Sequence, residues 1–497
     1  MALIRQVVKP KFTLTNIDIG ENEVLKREIK DMSQNEKNAF AIESHSIDYV
    51  DPSERHGKVR DLFTLWFCTN IAPLAVITGA MSMLTFNLSL MSALVAICCG
   101  HFFGAAILAL TSAQGPQVGI PQMIQSRAQF GRYGALLVVL FTTLIYLGFF
   151  ISNIILSGKT LHTVIPAIPV PTATVIGAIA ATTIGVVGYH LIHNFNKIGT
   201  WLMGGSLLIG LLIMLPQINA EVLAKGSFNL KGWFAMFGLC AVWQISFSPY
   251  TSDYSRYLPK SIGIFKPFIF TYLGASFGTI FAMAFGTVAV SIGSGADAME
   301  AVKSGTGVFG SILMILFLCN IIGHNAMNLY GAVLSCITSI QTFAGQWIPS
   351  KNIRIVLSII VLIIATFTAL WASRNFISFF LNVIFALLFI LVPWVSINLL
   401  DFYVINKKSY DIQSIFAQDG GIYGKFNAKA LTAYFIGIAI QIPFLTNAFF
   451  TGPFANVIQD VDISWVIGLV VSSVVYYVFN LEKIKCNSPE LNVKAQH

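Results

Sequence analysis

Apolar stretches of about 20 residues recur along most of the chain, the length at which an α-helix crosses the ~30 Å hydrocarbon layer of a bilayer. A water-soluble core cannot bury that many such segments, so the pattern points to a helical protein that crosses a membrane repeatedly. Of the 497 residues, 56% are hydrophobic and only 10% charged. Breaks at charged or Pro/Gly-rich positions delimit expected spans near 63–86, 89–111, 134–158, 172–189, 199–216, 234–252, 265–292, 309–339, 354–373, 376–400, 430–450 and 462–481. Residues 1–62 read as a polar cytoplasmic tail, 401–429 as a cytoplasmic loop and 482–497 as a second tail. The N-terminus has no charged segment leading into an apolar core and a small-residue cleavage site, so no signal peptide is expected.

The net charge of +8, from 30 basic and 22 acidic residues, would suggest nucleic acid in a soluble chain. Here it follows from basic loops on one side of a membrane, and no nucleic-acid partner is expected. With a cytoplasmic N-terminus, Arg55, Arg127, Arg132, Lys197, Arg256, Lys260, Lys351, Lys407, Lys425 and Lys483 fall inside, against Lys159, Lys225, Lys231, Lys303 and Arg374 outside. That asymmetry predicts both termini in the cytoplasm, in a plasma membrane, the inner membrane if the cell is bacterial. Six of the seven cysteines lie in apolar segments without metal-ligand spacing, so they read as packing residues.

Two spans carry polarity at mid-membrane. The first, "LWFCTNIAPLAVITGAM", holds Asn70 and Pro73, and the sixth, "AVWQISFSPYTSDYSRY", holds Pro249. A proline removes a backbone donor and clashes with the preceding turn, so both helices are expected to break there. The freed peptide groups are tolerable in a bilayer only beside protein or a cavity. Paired interruptions at equivalent positions of two halves point to a midplane site in a secondary transporter.

Several stretches carry a resemblance: "DLFTLWFCTNIAPLAVITGA" (61–80), "GPQVGIPQMIQSRAQFGRYG" (115–134), "SPYTSDYSRYLP" (248–259), "NIIGHNAMNLYGA" (320–332), and "INLLDFYVINKKSYDI" followed by "GGIYGKFNAKAL". Together, and in this order, they make the chain resemble the nucleobase:cation symporter family, the purine-cytosine permeases and their relatives. The resemblance implies an all-α membrane protein of twelve transmembrane helices. It also implies a leucine-transporter-like core (63–400) of two inverted five-helix repeats (63–216 and 234–400) with discontinuous spans 1 and 6, and two peripheral helices (430–481). The implied activity is import of a nucleobase such as cytosine, hypoxanthine or adenine with a cation. No cofactor is implied, and a monomer in the lipid bilayer suffices.

In such a transporter the base lies between aromatic rings of spans 3 and 6 and is read by amides and hydroxyls, which suits a flat, uncharged ligand with an edge of donors and acceptors. Carried over, this implicates Tyr146 and Phe149 in span 3. In span 6 it implicates Trp243, Gln244, Ser246 and Phe247, with Trp243 or Phe247 as the second ring. Asn325 reads the base edge with Asn328 in support, and Asn70 sits at the span 1 break. Thr78 and Gly79 are expected to permit close packing instead. Asp253 is expected to form a gating ion pair with Arg256 or Arg127. In sodium-coupled relatives two hydroxyl residues precede the span 8 asparagine; the positions matched here are Gly323 and His324. Proton coupling through His324 is therefore expected over sodium, with His101 a weaker candidate. A sodium-coupled permease, or one for a vitamin, allantoin or a hydantoin, is the alternative within the family, and a channel or receptor the alternative outside it. No nucleophile–base pair, metal cluster or phosphate loop suggests an enzyme.

Overall fold

The computed structural model describes residues 49–55, 57–187, 189–294, 297–344, 351–446, 450–457 and 461–486. Most of the expected N-terminal tail and the C-terminal tail from 487 lie outside the described residues. The architecture is all-helical; among the described residues the only extended pairings are the isolated bridges Leu88–Ser227 and Thr446–Thr451. A helix satisfies its own backbone polar groups, which lipid cannot do.

The principal helices are α1 (Val59–Asn70), α2 (Pro73–Leu84), α3 (Leu90–Ser112), α4 (Gln122–Phe130), α5 (Leu136–Val164), α6 (Val170–Val187), α7 (Tyr189–Met214), α8 (Leu230–Ile245), α9 (Thr251–Ser255), α10 (Phe265–Ile292), α11 (Phe309–Ala344), α12 (Lys351–Ala372), α13 (Phe376–Leu400), α14 (Ala428–Ala439) and α15 (Ser464–Phe479). Among the described residues, six helical stretches are long and apolar enough to cross a membrane, or seven counting a bent pair, and four shorter apolar helices accompany them. The polar run before residue 199, expected as a loop, belongs instead to α7, which starts at Tyr189.

Large apolar side chains are exposed along several helices, while polar ones are buried within an apolar core. On α12, Ile355, Ile359, Ile363, Phe367 and Trp371 are exposed along one helical stripe, a face fit for lipid and unfit for water. Asn70, His101, Gln114, Gln122, Gln129, Gln244 and Asn398 are buried.

The first span breaks as Pro73 demands. Helix α1 ends at Asn70, Ile71 and Ala72 are non-helical, and α2 begins at Pro73 with its axis turned by 60°. The sixth span is also interrupted, but without a change of course. Helix α8 ends at Ile245, a 3-10 turn covers Ser248–Tyr250, and α9 resumes at Thr251, yet Leu230–Ser255 keeps one course. The reason is local: Phe247 N–H bonds to the Gln244 carbonyl at 3.1 Å and Tyr250 N–H to the Phe247 carbonyl at 3.2 Å, so tighter turns absorb Pro249 near their start.

Both halves of the broken span rest on α10. Its Gly274 and Gly278 face the Phe63 and Phe67 carbonyls of α1, and Gly286 faces the Val76 carbonyl of α2, while Gly79 of α2 faces the Met283 carbonyl. These small residues at helical spacing let backbones touch. A Cβ at Gly286 would run into the Val76 carbonyl. Gly286→Ala is therefore expected to cost ~1–3 kcal/mol, read as a lower melting temperature in detergent. Gly205→Ala, with nothing within 4 Å of its added carbon, should leave the melt unchanged.

Candidate functional site

The α1–α2 break and the end of α8 are tied by one hydrogen bond. Asn70 is fully buried and donates through Nδ2 to the Trp66 carbonyl at 2.7 Å, while its Oδ1 accepts from Trp243 Nε1 at 2.9 Å. Trp243 in turn meets Phe149 of α5 edge to face, with ring centroids 5.8 Å apart and planes at 76°. Asn70, Phe149 and Trp243 thus converge. The two rings touch each other, however, and a flat ligand between them requires near-parallel faces, so one ring must turn to admit it.

On α11, Asn325 donates through Nδ2 to the Phe150 carbonyl of α5 at 3.1 Å, and Asn328 Nδ2 lies 3.5 Å from Asn325 Oδ1. The amide expected to read a base edge here makes an interhelical bond. His324 Nδ1 approaches the Asn320 carbonyl at 3.2 Å, and its imidazole also lies against the Thr69 backbone at the end of α1. Neighbouring Gly323 is buried.

Other expected site residues go elsewhere. Gln244 Nε2 turns toward α3 and α10, reaching His101 Nδ1 at 3.2 Å, the Ala275 carbonyl at 3.1 Å and Thr279 Oγ1 at 2.8 Å. Ser246 Oγ bonds back to the Trp243 carbonyl at 2.8 Å. Tyr146 lies over Gly331 of α11 and stacks on Tyr250, with centroids 5.2 Å apart and planes at 24°. Phe247 contacts Tyr250 and Trp66 edge to face.

Two residues of this region escaped the sequence reading. Tyr250 completes an aromatic stripe, Trp243, Phe247, Tyr250 and Tyr254, whose helical spacing was available as a signal. Asn320 is 3% exposed and neither polar atom of its side chain has a partner. Only its amide type, one turn before His324, pointed to it.

A second polar region caps one end of the bundle. Asp253 of α9 accepts the Gln122 N–H at 2.9 Å and so places a carboxylate at the N-terminus of α4. Ser252 Oγ donates to Gln122 Oε1 at 2.5 Å. From Gln122 a buried amide chain continues through Gln114 (3.2 Å), Asn398 (2.8 Å), Gln129 (3.4 Å) and Tyr410 (2.7 Å). It ends on buried Asp401, which accepts from Tyr410 Oη at 2.8 Å, Asn406 Nδ2 at 2.8 Å and Tyr476 Oη of α15 at 2.7 Å.

Arg256 is buried, stacks over the Tyr257 ring at 5.0 Å and donates to its hydroxyl at 3.0 Å. Arg127 does not reach Asp253: it sits in the C-terminal half of α4 and donates to the Ile415 carbonyl at 3.5 Å. Burial, with repulsion from Arg132, pulls the Arg127 guanidinium down to about 10.

A family model described as "permease for cytosine/purines, uracil, thiamine, allantoin" matches residues 49–468. The chain belongs to this permease family. A Bacillus subtilis protein with the provisional name purine-cytosine permease YxlA is 36% identical over 453 residues, covering 89% of this chain and 97% of its own. The vitamin B6 transporter TPN1 of Saccharomyces cerevisiae is 24% identical over 354 residues, 66% of this chain and 60% of its own. In fold the permease is similar to Mhp1, a nucleobase-cation-symport-1 family transporter solved in a closed conformation with bromovinylhydantoin bound. The TM-score is 0.69 at 15% identity, over 90% of this chain and 97% of that one. The permease is accordingly a multi-pass membrane transporter and no enzyme.

Chemically, the centre of the permease offers flat rings (Phe149, Trp243, Tyr146, Tyr250), amides (Asn70, Asn320, Asn325) and one imidazole (His324). Among the described residues no group of three or more His, Cys, Asp or Glu side chains could hold a metal. Flat rings and amides are the groups whose chemistry suits a planar, neutral, hydrogen-bonding molecule.

Proposed function

We infer that the permease imports one nucleobase, such as cytosine, hypoxanthine or adenine, together with a proton, by alternating access about the α1–α2 break. The observation that carries this reading is the Asn70–Trp243 hydrogen bond, which joins the broken first span to the aromatic end of α8 beside Phe149. A site that spans two such elements changes shape when either half-helix moves. Phe149 and Trp243 stack on the base once parted, and Asn325 exchanges its bond to Phe150 for the base edge, with Asn328 in support. His324 carries the proton, because its imidazole lies at the same break. Asp253 and Arg256 close one mouth. In this reading spans 1–5 and 6–10 form two inverted repeats of a leucine-transporter-like core, the C-terminal pair is peripheral, and both termini face the cytoplasm of a plasma-membrane protein acting as a monomer.

One observation favours a second reading within the family. Asn320, with an unpaired buried carbonyl oxygen one turn before His324, supplies an oxygen ligand that suits sodium. The likeness to a vitamin B6 transporter extends the candidate substrates to pyridoxine-type rings.

Uptake of labelled hypoxanthine and cytosine into proteoliposomes separates these readings. Saturable accumulation driven by an inward proton gradient without sodium is the expected result, with unlabelled bases competing and pyridoxine not. Accumulation that needs sodium and survives collapse of the proton gradient would falsify the proton assignment. Flux that never saturates would overturn the transporter reading in favour of a channel.

A further inference from the structure

We propose that Tyr146 and Tyr250 form a gate between the base site and the mouth at Asp253, and take no part in holding the base. The proposal rests on the reading above that the base lies between Phe149 and Trp243. Along span 6 the order is Trp243, Tyr250, Asp253. Along α5, Tyr146 stands one turn (~5 Å) before Phe149, toward the end that α4 leads into, and Asp253 bonds to α4.

Three observations separate a gate from a clamp. The first is spacing. The two tyrosine rings lie with centroids 5.2 Å and planes 24° apart, whereas a base held between two faces needs about 3.5 Å on each side, or roughly 7 Å in all. Tyr146 has no room to back away, because it lies over Gly331 of α11, where even a Cβ would run into the ring. Tyr250 is therefore the ring that has to move.

The second observation is where Tyr250 is mounted. It closes the 3-10 turn at Pro249 and is itself non-helical, with φ −140° and ψ 14°, between α8 and α9. Ser248 of the same turn keeps a buried hydroxyl without a partner, so rearranging this joint sacrifices less than breaking a helix interior. The third is the seam that the stack crosses. Helix α5 packs most extensively on α11, whereas α10 gathers α1, α2 and α3, and α8 packs on α3. Tyr146 belongs to the first group, and Tyr250 extends the second. From Tyr250 the rings continue edge to face through Phe247 at 5.9 Å to Trp66 of α1 at 5.5 Å. Movement of one group against the other, which alternating access requires, parts the stack without disturbing the interior of either.

The test measures binding and release separately, on the full chain in nanodiscs with labelled hypoxanthine. Tyr146→Ala and Tyr250→Ala are each expected to release base about tenfold faster while equilibrium affinity stays within about threefold, because a lost gate speeds entry and exit alike. Tyr250→Phe keeps the stacked face and should restore slow release. A clamp gives the opposite split, affinity weakened about tenfold or more in both alanine variants, and that result would overturn the gate. Release as slow as in the wild type from either alanine variant would overturn it as well. A measurement on unmodified protein guards against misfolded variants. Hydroxyl-radical labelling of Tyr146 and Tyr250 in proteoliposomes, read by mass spectrometry, should rise for both rings together during proton-driven uptake, and rings that stay unlabelled through turnover would sink the proposal. Phe149→Ala, expected to weaken affinity about tenfold, checks the base-site reading apart from the gate. Wild-type protein that binds neither hypoxanthine nor cytosine would overturn that reading and the gate with it.

Discussion

His324→Gln is expected to abolish accumulation driven by a proton gradient while leaving exchange of internal for external base intact. The imidazole stands where the α1 break meets α11, its Nδ1 3.2 Å from the Asn320 carbonyl. A carbonyl only accepts, so the imidazole meets Asn320 as a donor, and gain or loss of its second ring proton changes its charge. One charge moved through 100 mV is worth about 2.3 kcal/mol, which supports roughly 50-fold accumulation. Glutamine keeps a donor for the carbonyl but cannot change charge. The variant's internal-to-external ratio should therefore fall to about one, with counterflow persisting. Labelled-base uptake in proteoliposomes under an imposed gradient measures both; undiminished accumulation in the variant would show that the proton travels by another group.

The second large effect is expected at the bond between Asn70 and Trp243. Asn70→Ala leaves the Trp243 N–H without its acceptor in a fully buried position, a cost of about 1–3 kcal/mol. If that bond fixes the ring that stacks on the base, the half-saturating base concentration should rise about tenfold or more. Trp243→Phe keeps an aromatic face but removes the N–H donor together with part of the ring, so in its background Asn70→Ala should cost little more. A coupling of ~0.5–3 kcal/mol in that cycle is the expected result. Strict additivity of the two substitutions would mean that the bond is incidental to transport.

Much of the architecture was legible because it is dictated by local properties. Apolar runs long enough to span a bilayer must become helices, and Pro73 must interrupt one of them, as the 60° turn between α1 and α2 records. Pro249 interrupts its span as well, but 3-10 hydrogen bonds to Gln244 and Phe247 absorb it without redirecting the helix, an outcome proline alone does not specify. Side-chain partners were far less legible. Gln244 has the composition of a substrate-reading amide, yet its Nε2 bonds to His101 and Thr279 on other helices. Arg127, one of two expected partners for Asp253, donates instead to the Ile415 carbonyl, while Asp253 of α9 accepts the N–H of Gln122 at the start of α4. The amide chain from Gln122 to Asp401 joins residues as far as 284 positions apart, and spacing within one helix carries no information about such pairs.

That amide chain bears on how the protein is made. Asp401 leaves the ribosome well before Tyr476, the residue that donates one of its three hydrogen bonds. Until α15 is synthesised and inserted, the Asp401 carboxylate remains short of a donor, and the polar cap that runs back to Ser252 lacks its terminal anchor. Docking of α15 is thus registered chemically at a carboxylate 75 residues upstream, so the order in which helices arrive is written into the polar cap.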